Sequence, residues 1–591
     1  MSIDRATGEP PVAPALEASA AAPAETVGVR PILHPGRNCW VVAEAADSGV
    51  LIDGEEYYRA FHDAARAARH YILLAGWQFD SGVTLLRGEQ RTGDGEVRLL
   101  PFLRELCEAN PELQVRILCW DYSPAFFFQR EWLQDVRFNA AHPNIVFRFD
   151  DRHPIGGSHH QKFAVIDDAV AFVGSMDLCH ERWDERAHRY QCDGRCEPSG
   201  TDTYGPYHEV QAFVTGPAVR ELRELFAARW RTAGAGPLDV RAPDAPRAIA
   251  VHPTVPLGPA RVAFSRTAPR ILVPDQPEIR EIERLFVDAI DAAEHLVYLE
   301  SQYFGARALL AAFVRRLRQA DRPPLEIVLV CPRALHSFSE RMSIAGPQAI
   351  MFDRLRRLGA AHGHSVGIYC LAICGDDDGE RDIYIHSKLG IVDDRFLTVG
   401  SANLNNRSMG LDTELNVSWE SGLRDARLHR AVRRVRVSLL AEHAGRKGLA
   451  AIRRLTRARG LVAELDRIAA EPGARLRAYP AVEVPPAPAY DLPEDSGWDP
   501  DQPIEAVVFE RIFPNKRDVL RAGLGRVRSR FRAWRARRRV AVNPPLRVAR
   551  RPTLWWVAAV RLLRRFGLPL AVLAVVVGLA WWLISWLVRV L

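Results

Sequence analysis

Three stretches of this sequence occur twice, in the same order and at nearly equal spacing. "AARHYILLAGWQFD" around Gln78 resembles "AAEHLVYLESQYFG" around Gln302; "LQVRILCWD" at Leu113 resembles "LEIVLVCPR" at Leu325; and "HHQKFAVIDDAVAFVGSMD" resembles "IHSKLGIVDDRFLTVGSAN". Gln78 and His160 are 82 residues apart, Gln302 and His386 84. Ordered matches at one spacing mark an internal duplication. The chain therefore reads as two copies of one domain, 31–245 and 246–445, joined near the Pro-rich stretch 242–259. Within the copies, β-rich runs (Tyr71 to Leu74, Val115 to Leu118, Ile145 to Phe149, Phe163 to Ile166) alternate with helix-like stretches such as Arg220 to Trp230, the alternation of an α/β fold.

The regions outside the duplication have a different character. Met1 to about Val29 is rich in Ala, Pro and Glu and lacks the basic start and apolar run of a secretory signal, so it reads as a disordered leader. A helical stretch to Ala469 and an acidic Pro-rich linker (446–510) lead to a basic segment, 511–565. That segment carries 18 Arg or Lys against one acid, although the whole chain has a net charge of only +7. Leu520, Leu524, Val527, Phe531 and Trp534 follow helical spacing among its arginines, the pattern of a basic amphipathic helix. From 566 to 588 no residue is charged, and at ~1.5 Å per residue that run spans a ~30 Å hydrocarbon core. It is predicted to be a transmembrane helix, with the arginines on its N-terminal side placing the catalytic region in the cytoplasm. The expected partner of the basic helix is then the anionic membrane surface, and no nucleic acid partner is expected. The nine scattered cysteines form no disulfide framework.

The chemistry concentrates in the longest repeat. His160 and Lys162, and again His386 and Lys388, stand two residues apart in an apolar β run, which puts each pair on one face of a strand. Asp167 or Asp393 follows five residues after the lysine, and Gly174-Ser175 or Gly400-Ser401 closes the motif. Lysine is rare here: of 79 basic residues only Lys162, Lys388, Lys447 and Lys516 are not arginine. Lysine at both equivalent positions points to a demand for a compact ammonium. Two ammonium groups with small donors suit a phosphate-like transition state. Two histidines on opposite sides of it suit in-line displacement, one attacking phosphorus and the other protonating the leaving oxygen, with a bell-shaped pH profile.

The pattern His-x-Lys-x4-Asp-x6-Gly-Ser, present twice, resembles the signature of the phospholipase D superfamily. The surrounding text, "DLCHERWD", "GPYHEVQAFVTGPAV…FAARW", "ESQYF" and "SANLNNRSM…DTELN", is similar to the eukaryotic and plant type, over about Ile32 to Glu442. The resemblance implies two tandem α-β-α sandwich domains related by pseudo-two-fold symmetry and sharing one active site. It implies His160 as the nucleophile that forms a phosphohistidine, and His386 as the acid and later the base. Lys162, Lys388, Ser175, Ser401 and Asn403 would hold the phosphate; Glu209 and Glu414 would orient the histidines; Asp167 and Asp393 would be structural. Asp177 stands where the second motif has Asn403. The implied activity is hydrolysis of a membrane phospholipid to phosphatidate and a head-group alcohol, without a metal or other cofactor. Transfer to an alcohol, as in cardiolipin synthases, uses the same intermediate and stays open. So do two remoter readings, a nuclease and a non-enzymatic membrane-binding scaffold. Neither metal grouping in the sequence is favoured: His180, His188, Cys192 and Cys196 match no common zinc spacing, and "GDDDGE" at 375–380 lacks the spaced ligands of a calcium loop. Head-group preference and oligomeric state are not legible.

Overall fold

Period-two alternation decides how the apolar runs are used. In the strand Tyr71–Gly76, Tyr71, Leu73 and Ala75 enter one core while Ile72 and Leu74 enter another. In Leu296–Glu300, Leu296 and Tyr298 join that first core and Val297 and Leu299 a third. Both strands are covered on both faces, which is why they read as continuous apolar runs. The first core is shared by two sheets, and each of the other two lies between one sheet and its own helices. In this computed structural model, residues 30–90, 96–121, 131–154, 156–196, 203–272, 275–335, 338–375, 379–422, 425–480 and 499–503 are described.

The two sheets repeat one strand order. The first runs Ser48–Ile52, Val210–Thr215, Val170–Gly174, Phe163–Ile166, Tyr71–Gly76, Gln114–Trp120, Ile145–Asp150. Part of the second runs Ala260–Ala268, Glu414–Glu420, Phe396–Gly400, Leu389–Val392, Leu296–Glu300, Glu326–Val330, Ser365–Cys374. In each, the last three strands pair in parallel and the rest antiparallel. Parallel neighbours need a crossover. The helices Leu99–Ala109 and Gln134–Ala141 supply it in the first half, Arg307–Leu317 and Phe338–His362 in the second.

The halves exchange edges. Val41–Ala45 adds to Ala260–Ala268 of the second sheet, and Val255–Pro256, from the Pro-rich joint, adds to Ser48–Ile52 of the first. The helical stretch after residue 445 folds onto the second half, where Leu476–Ala478 pairs with Ser365–Cys374. Among the described residues, no helix is long and apolar enough to cross a membrane. The expected leader, basic amphipathic helix and transmembrane run, and most of the Pro-rich linker, lie outside the described residues.

Candidate active site

Each His-x-Lys triplet sits where the chain changes partners. His160 and Lys162 immediately precede the strand Phe163–Ile166, and His386 to Lys388 fill the gap between Glu380–Ile385 and Leu389–Val392. This corrects the expectation that both residues lie within a strand. The reason is a crossing between halves: the His160 amide donates to the Thr413 carbonyl and the His386 amide to the His208 carbonyl, each 2.9 Å away. The residues just after those carbonyls are Glu414 and Glu209. Backbone pairing between the halves thus sets each histidine opposite a glutamate of the other half.

The side chains complete the crossing. Nδ1 of His160 lies 3.1 and 3.0 Å from the two carboxylate oxygens of Glu414. Nδ1 of His386 lies 2.5 Å from Glu209 Oε1. Each glutamate also accepts from the serine of its own half, Glu414 from Ser401 at 2.5 Å and Glu209 from Ser175. A carboxylate bound at Nδ1 fixes the tautomer and leaves Nε2 with the reactive lone pair. The His160 side chain is 17% exposed and that of His386 9%, while both glutamates are fully buried, so the imidazoles are the more open members of each pair.

The lysines are equipped differently. Lys162 Nζ lies 3.2 Å from Asp177 Oδ2, and the other oxygen of Asp177 accepts from the Trp77 amide at 2.9 Å. Lys388 Nζ lies 3.3 Å from the amide oxygen of Gln302, to which Asn403 Nδ2 donates at 3.5 Å. One ammonium faces a carboxylate, the other only amides.

Burial dominates the electrostatics. It depresses both histidines well below the usual imidazole range; the two lysines add to that at His160, and Lys388, Arg182 and Lys162 at His386. It also depresses the Lys388 ammonium to about 7 against the opposing pull of Glu209, and pushes the Glu414 carboxyl up to about 7 against the Ser401 hydroxyl. Glu209 is raised for the same reason, with Lys388 opposing. Removing charged groups from water without a full counter-charge has this sign.

Comparison with known proteins agrees with the duplicated motif. A family model described as a cardiolipin synthase, phospholipase D-like domain matches residues 286–435, which include His386, Lys388 and Glu414. Phospholipase D A of Dictyostelium discoideum is 26% identical over 413 residues, covering 61% of this chain and 32% of that protein. Phospholipase D alpha 3 of Arabidopsis thaliana is 25% identical over 497 residues, covering 62% and 60%. The chain is similar to the phospholipase D superfamily, by the family model over its second half and by these relatives over about three fifths of its length. It spans between about a third and three fifths of the length of these two relatives. Among solved structures, phosphatidylserine synthase of Haemophilus influenzae superposes with a TM-score of 0.41 at 13% identity, over 68% of this chain and 88% of that one.

The remaining motif positions have visible structural reasons. Asp167 accepts from the amides of Arg69, His70 and Tyr71 at 2.6 to 2.9 Å, and Asp393 from those of Glu294, His295 and Leu296 at 2.7 to 2.8 Å. Both aspartates have left-handed backbone, φ +52°. A Cβ at Gly174 would collide with the Gln211 side chain, and one at Gly400 with Asn416, the residues two beyond Glu209 and Glu414. The same hydrogen bonds correct the repeat register. Tyr71 is equivalent to Leu296, so Gln302 stands where the first half has Trp77, and the Gln78 match is off by one.

Residues not singled out from sequence also gather at the site. Gln302 reaches Lys388 from "ESQYF", Arg182 of "DLCHERWD" lies over the Tyr207 ring, and Tyr207 and Tyr384 stack near the His386 ring at 5.5 and 6.4 Å between centroids. The quoted family motifs were the available signal for the first two. The four-residue zinc grouping does not assemble: among the described residues, His188 groups with Asp53, His208 and Glu442, not with His180, Cys192 or Cys196.

Proposed function

We propose that this chain is a phospholipase D, built of two tandem α-β-α domains (31–245 and 246–445) related by pseudo-two-fold symmetry, that hydrolyses membrane phospholipids to phosphatidate and a head-group alcohol. The observation that carries this reading is the crossed pairing, in which each half supplies one histidine and the glutamate that holds the other. His160 Nε2 attacks phosphorus, the bond to the head-group oxygen breaks, and that oxygen takes a proton from His386 Nε2. A water then gives its proton to His386 Nε2 as its oxygen displaces the phosphorus–nitrogen bond, which restores both imidazoles. Both histidines are depressed without substrate, so the acid form of His386 depends on the anionic phosphodiester offsetting the lysines. Lys162, Lys388 and Asn403 bind phosphate oxygens, while Ser175 and Ser401 act by holding the glutamates. The greater exposure of the His160 side chain supports its role as nucleophile. The apolar run 566–588 and the basic segment 511–565 support anchoring at an anionic membrane surface, where the substrate is.

The description of the matching family model favours a second reading, transfer of the phosphatidyl group to an alcohol. Full-length protein in detergent, given mixed phosphatidylcholine, phosphatidylethanolamine and phosphatidylglycerol with ethanol as acceptor, tests both by mass spectrometry of the products. Phosphatidate with phosphatidylethanol is expected. Cardiolipin formation would establish the second reading, and no lipid turnover would overturn both.

A further inference from the structure

Behind the Glu209–His386 pair lies a set of buried ionisable groups that phosphoryl transfer does not use. Asp53 opens the helix Asp53–Arg66, His188 follows the "DLCHERWD" stretch, His208 directly precedes Glu209, and Glu442 lies at the end of the helix Ala426–His443. Asp53, His188 and His208 are fully buried and the Glu442 side chain is 2% exposed. His208 Nδ1 stands 2.9 Å from both Asp53 Oδ1 and Glu442 Oε1; His188 Nε2 stands 3.4 Å from Glu442 Oε1 and 3.6 Å from Asp53 Oδ2. One donor atom from each of the four lies within 4.8 Å of every other. Four donors bound tetrahedrally at about 2.0 Å are about 3.3 Å apart, and these spacings straddle that value.

Two further observations point to a cation in place of ion pairs alone. Among the described residues, neither His208 Nδ1 nor Asp53 Oδ2 has a hydrogen-bond partner of accepted geometry, although two carboxylates stand 2.9 Å from the former. A buried polar atom left unpaired costs about 1–3 kcal/mol, which a metal ion accepting both lone pairs would remove. In addition, the far nitrogen of each imidazole meets a carboxylate: His188 Nδ1 lies 2.8 Å from Asp184, and His208 Nε2 3.1 Å from Glu300. Those carboxylates are themselves held, Asp184 by Arg195 at 3.0 Å, Glu300 by His443 at 2.9 Å and Ser387 at 2.5 Å. A carboxylate on the far nitrogen is what orients a ligating imidazole.

We propose that Asp53, His188, His208 and Glu442 bind one structural zinc ion. Two neutral imidazoles and two carboxylates balance its charge. Calcium and magnesium fit poorly, since they take all-oxygen shells of higher coordination number. The ion ties helix ends from both halves to the residue before Glu209, and through Glu300 to the residue after His386. Its role is to hold the crossed pair, not to take part in the chemistry, and its presence does not depend on which phosphodiester the enzyme uses.

Full-length protein expressed with zinc in the medium and purified without chelator is expected to carry about one zinc ion per chain by elemental mass spectrometry, with an absorption-edge spectrum showing only nitrogen and oxygen at about 2.0–2.1 Å. The Cys192→Ser/Cys196→Ser double variant keeps the zinc, and His188→Gln loses it. Wild-type protein free of zinc, sulfur in its shell, or zinc retained by both His188→Gln and Glu442→Gln would overturn the proposal. The measurements on wild type and on the cysteine variant hold whether or not the ligand variants fold.

Discussion

The two halves share a scaffold and differ in how they treat their lysine. Strand order, pairing sense, the aspartate that accepts three amides and the glycine under a cross-strand amide side chain all repeat. Yet Lys162 faces the Asp177 carboxylate, and Lys388 faces Gln302 and Asn403. In the first half the ammonium is matched by a counter-charge already in place. In the second its side-chain partners are amides, and burial draws it down to about 7 against the opposing pull of Glu209. The repeated scaffold thus supplies matching geometry, and one difference, Asp177 where the second half has Asn403, makes the charge asymmetric.

The largest effects should come from the histidines, which the geometry treats alike and the mechanism does not. His160→Asn and His386→Asn are each expected to lower kcat by at least about 10³-fold, with the unfolding transition unchanged. A phosphatidyl ester of p-nitrophenol separates the two, because its leaving group needs no acid. His386→Asn should give a burst of one nitrophenolate per chain, while His160→Asn gives none. A burst from His160→Asn instead would reverse the assignment of nucleophile.

Next come the glutamates, each bound to the other half's histidine. Glu414→Gln and Glu209→Gln should each slow turnover by about 10–100-fold, the range for groups that orient a reacting imidazole. Glu414 must be ionised, so kcat/KM should rise with pH through about 7; Lys388 must be charged, so it should fall with pH through about 7. The expected profile is a narrow bell near neutrality. Glu414→Gln should flatten the acid limb alone, and Lys388→Arg, whose guanidinium does not titrate there, the alkaline limb alone. A broad plateau in the wild type would show that these groups are not the ones that limit it.

The asymmetry itself is tested by Asp177→Asn, which gives the first half the amide of the second. Lys162 then lacks its carboxylate, and inorganic phosphate should inhibit about tenfold more tightly, a difference of about 1.4 kcal/mol. An unchanged inhibition constant would mean that Lys162 does not face the bound anion.

Much of this is legible in the sequence. The strands follow from apolar runs; Phe163–Ile166 coincides with its run and Tyr71–Gly76 extends it by two residues. His160, Lys162, His386 and Lys388 stand out through a repeated pattern and the scarcity of lysine. Gln302 is visible but misaligned, because a Gln one position from its true equivalent, Trp77, offers a better letter match. The triplets read as strand because period-two spacing cannot reveal that the backbone leaves its own ladder to pair with the other half. His208, Glu300 and Glu442 are invisible as a group: they come together from points 92 and 142 residues apart in the chain, and each alone looks like a surface residue of its element.

The smallest effect on turnover, and the sharpest test of equivalence, belongs to Asp167 and Asp393. Each accepts three backbone amides at matching distances and holds a left-handed turn of φ +52°. Replacing either by Ala strands three amides near the end of a central strand. Hydrogen bonds to a charged acceptor contribute about 1.5–3 kcal/mol each and are not additive, so a loss of about 3–5 kcal/mol is expected. Because the geometry matches, Asp167→Ala and Asp393→Ala should destabilise equally, within about 1 kcal/mol, in denaturant titrations, while the folded fraction keeps its kcat. Asn, which retains one acceptor oxygen, should recover part of the loss in both. A large inequality would show that the halves, alike in strand order, do not contribute alike to the cooperative unit, since the shared core joins the two sheets and a turn at either end should be felt by both.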